Sequence, residues 1–226
     1  MKKAVLVTGG TSGLGYELCI KLHDLGYDVI TVSRNEKKLD SLKKALGEDL
    51  SYYQGDISDE DFVNGFMEEV CRTKDLVGVV NNACEGYFAM PVEIHSQHVE
   101  KCLKGVKGMM YVSAAALREK SERDLRIVNI LSTAAQKGKK MEAAYCMAKF
   151  AQRGYTEALK DAYQDGSVKV NGVYLGGMDT DLWKDSRDYI SEEKQATFMN
   201  PANIASEIVD TYFVNGHNED ITINRK

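Results

Sequence analysis

A chain of 226 residues with 43% hydrophobic content can bury one sizeable core. A formal net charge of -5 with no basic block argues against nucleic acid or an anionic membrane as partner. Five scattered cysteines (Cys19, Cys71, Cys84, Cys102, Cys146), with no Cys-x-x-Cys among them, argue against a disulfide framework or a zinc site. They point to free thiols in a reducing compartment. The apolar run Ala4 to Val7 is too short for a targeting or spanning segment, so a cytoplasmic protein is expected.

Short apolar runs alternate with amphipathic stretches along the chain. Ala4 to Val7, Val29 to Val32, Leu76 to Val80, Ile127 to Leu131 and Val168 to Val173 read as buried strands. Gly13 to Leu25, Glu36 to Leu46, Asp59 to Cys71, His95 to Glu119 and Ala143 to Tyr163 read as helices. This alternation predicts an α/β fold, a doubly wound parallel sheet with helices on both faces. With two prolines, no repeat and no low-complexity tract, no boundary divides the chain, and 1–226 is expected to form one unit. Ligands of such sheets bind beyond the carboxyl ends of the strands, where the strand order reverses. Chemistry is therefore sought just after each strand.

Thr8-Gly9-Gly10-Thr11-Ser12-Gly13-Leu14-Gly15 follows the first strand and opens the first helix. Glycines at 9, 13 and 15 permit tight turning and close approach to a pyrophosphate, whose charge the helix N-terminus favours. A bare glycine turn is the plainer account of three glycines, but their place at the first turn of the sheet favours dinucleotide binding. The second strand ends in Ser33-Arg34-Asn35, where an acidic residue would bind the ribose hydroxyls of NAD. Arg34 offers a guanidinium instead, suited to a 2′-phosphate, with the hydroxyls of Ser33 and Ser12 in support. NADP(H) is expected in preference to NAD(H). Taken alone, Arg34 would read as a surface arginine opening a loop.

After a third strand comes Gly55-Asp56-Ile57. Asp56 can accept a hydrogen bond from an adenine amino group, or simply cap the helix beginning near Asp59. After the fourth comes Asn81-Asn82-Ala83, where an asparagine can also serve only to brace strand ends. His95 and His98 stand three apart, but with no third ligand they read as ordinary helix surface, and no metal is expected. Ser132 ends the fifth strand on the ligand side of the sheet. Tyr145 and Lys149 follow on the next helix, four apart and on one face. An ammonium beside a phenol favours the phenolate and lowers a pKa of about 10. A tyrosine so tuned exchanges a proton with an alcohol oxygen near neutral pH. Tyr-x-x-x-Lys alone is more often a solvated helix face; Ser132 and the glycine turn lift it.

Together these residues resemble the short-chain dehydrogenase/reductase family in its compact single-domain form. The resemblance runs from Met1 to about Pro201. It rests on the Thr-Gly-x-x-x-Gly-x-Gly turn from Thr8, on Asn81-Asn82-Ala83, and on Ser132 with Tyr145-x-x-x-Lys149, in the family's order and spacing. It implies a Rossmann-like sheet and reversible hydride transfer between a nicotinamide and a carbonyl or alcohol. By position, Ser132 would orient the carbonyl, Tyr145 act as general acid, and Lys149 lower its pKa and bind the nicotinamide ribose. Thr180 would contact the nicotinamide carboxamide or a phosphate. Further cofactor contacts are implied for Gly9, Thr11, Ser12, Gly13, Leu14, Gly15, Ser33, Arg34, Asn35, Asp56, Ile57, Asn82 and Ala83. Ile221-Thr222-Ile223 would add a final strand.

Three positions depart from the family pattern. Cys84 replaces the Gly of Asn-Asn-Ala-Gly, and Leu175 the Pro before Gly176. Gly105 stands where the family places a fourth catalytic residue, an Asn that holds a water in the proton relay. Gly105 and Gly108 each cost a helix about 1 kcal/mol relative to Ala. Either a water fills the space of the missing side chain and maintains the relay, or the glycines allow close helix packing, at a subunit contact for instance.

The stretch 178–199, with Leu182, Trp183, Tyr189 and Phe198, would cover an apolar or aromatic carbonyl substrate, and Tyr87, Phe88 and Met90 would form an opposite wall. An amphipathic helix packed on the body explains the same residues. Cys146 reads as a small core residue. Small and apolar residues on the helices at 95–119 and 143–163 suit pairing between subunits, so a homodimer or homotetramer is expected. The expected activity is NADP(H)-dependent reduction of a ketone or aldehyde, or the reverse. Two readings compete with it: a nicotinamide-binding regulatory or scaffold protein without turnover, to which Gly105 points, and NAD-dependent alcohol oxidation, against which Arg34 counts.

Overall fold

The computed structural model describes residues 1–120, 124–183 and 191–225. Seven strands form one parallel sheet in the order β3-β2-β1-β4-β5-β6-β7. They are β1 (Lys3–Thr8), β2 (Asp28–Ser33), β3 (Leu50–Gln54), β4 (Asp75–Asn81), β5 (Leu125–Ser132), β6 (Val168–Leu175) and β7 (Ile221–Ile223). The helices are α1 (Gly13–Asp24), α2 (Glu36–Leu46), α3 (Glu60–Thr73), α4 (Ser96–Lys120), α5 (Ala143–Ala162), α6 (Glu192–Ala196) and α7 (Pro201–Val209). This is the doubly wound α/β sheet that the alternation of apolar runs predicts, with the short run at Ile221 pairing beside β6 as its last strand.

The two-residue period of a strand divides the core between two layers. Val5 and Val7 of β1 face a cluster shared with Leu14, Leu18 and Leu22 of α1 and Ile204 and Ile208 of α7. Ala4 and Leu6 face the other cluster, with Val63, Phe66 and Met67 of α3 and Val112 and Ala116 of α4. Covered on both faces, β1 has to be apolar almost throughout. Leu18 and Leu22 are wholly buried, each contributing roughly 1.5–3 kcal/mol.

Helix boundaries follow local chemistry. Asn35 opens α2 by accepting the Lys38 N–H at 3.0 Å, and Gly47, with φ 66, ends it. Asp59 opens α3 by accepting the Phe62 N–H at 3.2 Å. The cap of α3 is therefore Asp59 and not Asp56, which is left for other contacts. From β1 the chain builds outward through β2 and β3, then returns to the other side of β1 as β4. The connections leaving the carboxyl ends of β1 and β4 diverge there, and a crevice opens between them.

Candidate active site

That crevice is a cleft of about 480 Å³. Its floor is the first turn. Gly9 (φ 68) and Gly13 (φ 53) are left-handed, a conformation that favours glycine. A Cβ on Gly15 would strike the Gly9 carbonyl oxygen, and one on Gly13 would lie 3.0 Å from Thr180 Cγ2. Thr31 Oγ1 accepts the Gly10 N–H at 3.1 Å and donates to the Val7 carbonyl at 2.8 Å. Thr8 Oγ1 accepts the N–H groups of Asn82 and Ala83, both at 3.0 Å, and Asn82 Nδ2 donates to the Thr8 carbonyl at 3.0 Å. Asn82 thus braces β1 against β4 while also lining the cleft. Ser12 caps α1 with no side-chain hydrogen bond to it, so the first-turn amides keep donors for an anion. A cramped glycine floor ending on such amides fits the pyrophosphate of a dinucleotide.

Gly9, Thr11, Ser12, Gly13, Leu14, Ser33, Arg34, Asp56, Ile57, Asn82, Ala83, Ser132, Tyr145, Lys149 and Thr180 all line the cleft. Gly15 and Asn35 do not: the first is pressed against Gly9 and the second is occupied as the α2 cap. Near β2, Arg34 Nη1 meets Glu85 Oε1 at 2.8 Å and lies 4.0 Å from Asp56 Oδ2. Asp56 Oδ2 also receives Lys104 Nζ at 3.1 Å, while Oδ1 accepts Ser58 N at 2.9 Å and Ser58 Oγ at 2.8 Å. Burial opposes the charge on Asp56, but the Ser58 hydrogen bonds and the Lys104 ammonium hold its carboxyl below the ordinary value. The Ser33 hydroxyl is hydrogen-bonded to that of Thr11 at 3.0 Å. Sequence reasoning missed Glu85, because nothing marks a lone acid in a loop until the fold sets it opposite Arg34.

At the other end of the cleft, Ser132, Tyr145 and Lys149 are all buried. Lys149 Nζ donates to the Ile130 carbonyl at 3.0 Å and lies 5.7 Å from the centroid of the Tyr145 ring. The expected lowering of the phenol pKa is not what these contacts produce. Burial pushes Tyr145 well above its ordinary value, the neighbouring Cys84 adds to this, and a hydrogen bond with Ser132 opposes it. Burial also holds Lys149 below the ordinary lysine value. Desolvation wins because both groups have lost water, and the ammonium is engaged with a backbone carbonyl.

A side chain at Gly105 would start in a tight place. A Cβ there would lie 3.1 Å from Cys84 Cα, 3.2 Å from the Ala83 carbonyl oxygen and 3.3 Å from Cys84 Cβ. A Cβ on Gly108 would collide with Ile57. The two glycines let α4 pack closely within the chain, and Gly105 also borders the cleft. The Gly105 carbonyl accepts Gln152 Nε2 at 3.0 Å, and the side-chain oxygen Oε1 of Gln152 is buried without a hydrogen-bond partner. Gln152 was also missed; its signal is an amide one turn beyond Lys149, on the inward face of an amphipathic helix.

On the remaining side, Leu182, Trp183 and Phe198 line the cleft. Phe88 stacks on Trp183 with centroids 4.3 Å apart and packs on Tyr145 at 5.2 Å. Tyr87 and Met90 are not part of this wall: Tyr87 stacks on His98 at 3.6 Å, and Met90 is exposed. Tyr189 lies outside the described residues. Cys146 is buried in the cluster with Tyr145 and Trp183. Among the described residues there is no group of three or more His, Cys, Asp or Glu fit to hold a metal. No helix among them is long and apolar enough to cross a membrane.

Residues 3–190 match the family model for short chain dehydrogenases. The sepiapterin reductase of Chlorobaculum tepidum is 27% identical, over 94% of this chain and 91% of its own length. The L-xylulose reductase of Caenorhabditis elegans is 27% identical over 91% of this chain and 84% of its own. The chain spans 56% of the length of the estradiol 17-beta-dehydrogenase 2 of Rattus norvegicus, with 29% identity. Among solved structures, a short-chain dehydrogenase/reductase from Vibrio parahaemolyticus superposes with a TM-score of 0.86 at 27% identity, over 99% of both chains. ElxO with NADP bound superposes with a TM-score of 0.86 at 26% identity, over 99% of this chain and 98% of that one. With a glycine-floored cleft at the strand reversal and a buried Ser–Tyr–Lys set at its far end, the chain belongs to the short-chain dehydrogenase/reductase family of oxidoreductases.

Proposed function

We propose that the protein is an NADP(H)-dependent oxidoreductase that reduces a ketone or aldehyde to an alcohol, or runs the reverse, with Tyr145 as general acid and base. The observation that carries this reading is the placing of Tyr145: buried in the cleft, within hydrogen-bonding reach of Ser132, with Lys149 Nζ 5.7 Å from the centre of its ring. Such a phenol keeps its proton at neutral pH and has one to give to a developing alkoxide. Ser132 holds the carbonyl oxygen against the phenol, and Lys149 orients the ribose next to the reacting centre. When bound, the nicotinamide supplies or accepts the hydride. The first-turn amides of α1 and the glycine floor suit its pyrophosphate, Asp56 and Ile57 its adenine, and Thr180 its carboxamide or a phosphate.

NADP(H) is favoured over NAD(H) because the end of β2 offers Arg34 and no acid, and a similar protein, ElxO, is known with NADP bound. The wall of Phe88, Trp183, Phe198 and Leu182 suits an apolar or aromatic carbonyl compound. Exposed Met110 on α4 and exposed Met147 and Phe150 on α5 suit a homodimer or homotetramer built on these helices. NADPH oxidation across a panel of aliphatic, aromatic and heteroaromatic carbonyls tests the activity, and a Tyr145→Phe variant that kept full turnover would sink the mechanism. A second reading, a cofactor-binding regulator without turnover, draws on the packing of Cys84 into the position of the family's fourth catalytic residue. Tight NADPH binding with no turnover on any member of the panel would favour it.

A further inference from the structure

We propose that Glu85 is a selectivity-determining residue, an internal competitor that holds Arg34 against the 2′-phosphate of NADP(H) and so limits discrimination against NAD(H). The proposal rests on the reading of Arg34 given above. Arg34 follows β2 and Glu85 follows β4, and β1 lies between those strands in the sheet. Strands are spaced about 4.8 Å apart, so the ends of β2 and β4 stand roughly 10 Å from one another. Contact at 2.8 Å between the two side chains therefore requires both to reach across the first turn, over the mouth of the cleft they line. Other charges at this end are already matched, with Lys104 on Asp56 at 3.1 Å and Arg34 only at the fringe of that pair, at 4.0 Å. Glu85 is thus the acid that holds the Arg34 guanidinium.

A guanidinium binds carboxylate and phosphate through the same planar N–H fork. A 2′-phosphate, with greater charge and three acceptor oxygens, takes Arg34 from a single carboxylate. Doing so leaves Glu85 beside a dianion, and that repulsion falls on NADP(H) alone. The ribose hydroxyls of NAD(H) ask for no such exchange, so that cofactor binds with the pair in place.

Binding is measured by calorimetry for NADPH and NADH on the wild type and on Glu85→Gln, Arg34→Ala and the double variant, at low and at raised salt. Glu85→Gln is expected to tighten NADPH about three- to fivefold, the scale of a half-exposed ion pair, and to change NADH less than twofold. The gain is expected to shrink at raised salt and to shrink in the Arg34→Ala background, where only the repulsion between Glu85 and the phosphate remains. Equal tightening of both cofactors would make the pair a simple steric strap and overturn the proposal, as would no change in either. If Arg34→Ala leaves NADPH binding unchanged, the reading of Arg34 fails and the proposal falls with it. If Arg34→Ala weakens NADPH while Glu85→Gln does nothing, the Arg34 reading stands and only the role of Glu85 is lost.

Discussion

Gly105 and Cys84 share one volume: a Cβ on the glycine would sit 3.3 Å from the cysteine Cβ and 3.1 Å from its Cα. Two of the three departures from the family pattern are thus two sides of one contact between α4 and the loop after β4. Gly105→Asn is expected to cost about 1–3 kcal/mol by overpacking, even though Gly is the poorer helix former. Cys84→Gly removes the Cβ at 3.3 Å but keeps the backbone contacts at 3.1 and 3.2 Å, so it should relieve part of that cost, read as a coupling in a double-mutant cycle by urea denaturation. Additive effects would mean that the two residues do not compete for space.

Tyr145→Phe removes the proposed proton donor while keeping the ring that packs against Phe88. Carbonyl reduction should fall by about 10²–10⁴ in kcat, with NADPH binding within twofold of wild type. A parallel loss of binding would show that the phenol holds the cofactor more than the reaction.

The pH dependence has a definite sign. Because burial raises the Tyr145 pKa, the phenol is protonated through neutral pH, and reduction should run flat from about pH 6 to beyond 9 before falling at alkaline pH. Oxidation of the alcohol needs the phenolate and should instead climb with pH over the same range. The Ser132 hydrogen bond opposes the shift, so Ser132→Ala should raise the pKa further and move both limbs to higher pH as kcat drops. A limb that stayed in place would remove Ser132 from contact with the phenol.

The first turn offers a stricter test of the fold. Gly15 does not line the cleft, yet a Cβ on it would strike the Gly9 carbonyl oxygen, which is backbone and cannot swing aside. Gly15→Ala should therefore lower stability by about 1–3 kcal/mol and weaken NADPH at least tenfold, whereas an exposed helix glycine such as Gly65, with nothing within 4 Å, should gain from the same change. Tm and binding measured on both variants separate the two cases.

The sheet was legible because β1, β2, β4, β5 and β6 are covered on both faces and so appear as largely apolar runs, broken at a few positions such as Asn129, Lys169 and Asn171. The site was legible where local order sets chemistry, as in the turn from Thr8 and in Tyr145 with Lys149. What local order cannot show is which loop residues meet across the cleft. Glu85 and Arg34 come together only because β4 returns to the far side of β1. Cys84 and Gly105 come together only because α4 packs on the loop after β4. The direction of the Tyr145 shift is hidden for a related reason: spacing places Lys149 near the phenol, but burial, which depends on the whole fold, sets the direction.

Cys19 carries a prediction about alkaline stability. Its thiol is wholly buried on α1 beneath Gly10, and desolvation pushes it from 9.0 up to about 12 against a weaker lowering by the Thr31 hydrogen bond. The folded pKa lies above the unfolded one, so the folded state prefers the protonated thiol. Its stabilising effect is complete below pH 9 and is lost as pH rises toward 12, with a slope of at most about 1.4 kcal/mol per pH unit. Cys19→Ala should cost about 1 kcal/mol at neutral pH by leaving a small cavity. It should also lose less stability than wild type between pH 9 and 11, because one group that resists ionisation is gone; Tyr145 and Tyr212, raised by burial as well, keep part of the slope. Urea midpoints at pH 7, 9, 10 and 11 for both proteins decide the matter. Parallel curves would mean that the thiol ionises as readily folded as unfolded, which its place under the glycine turn does not allow.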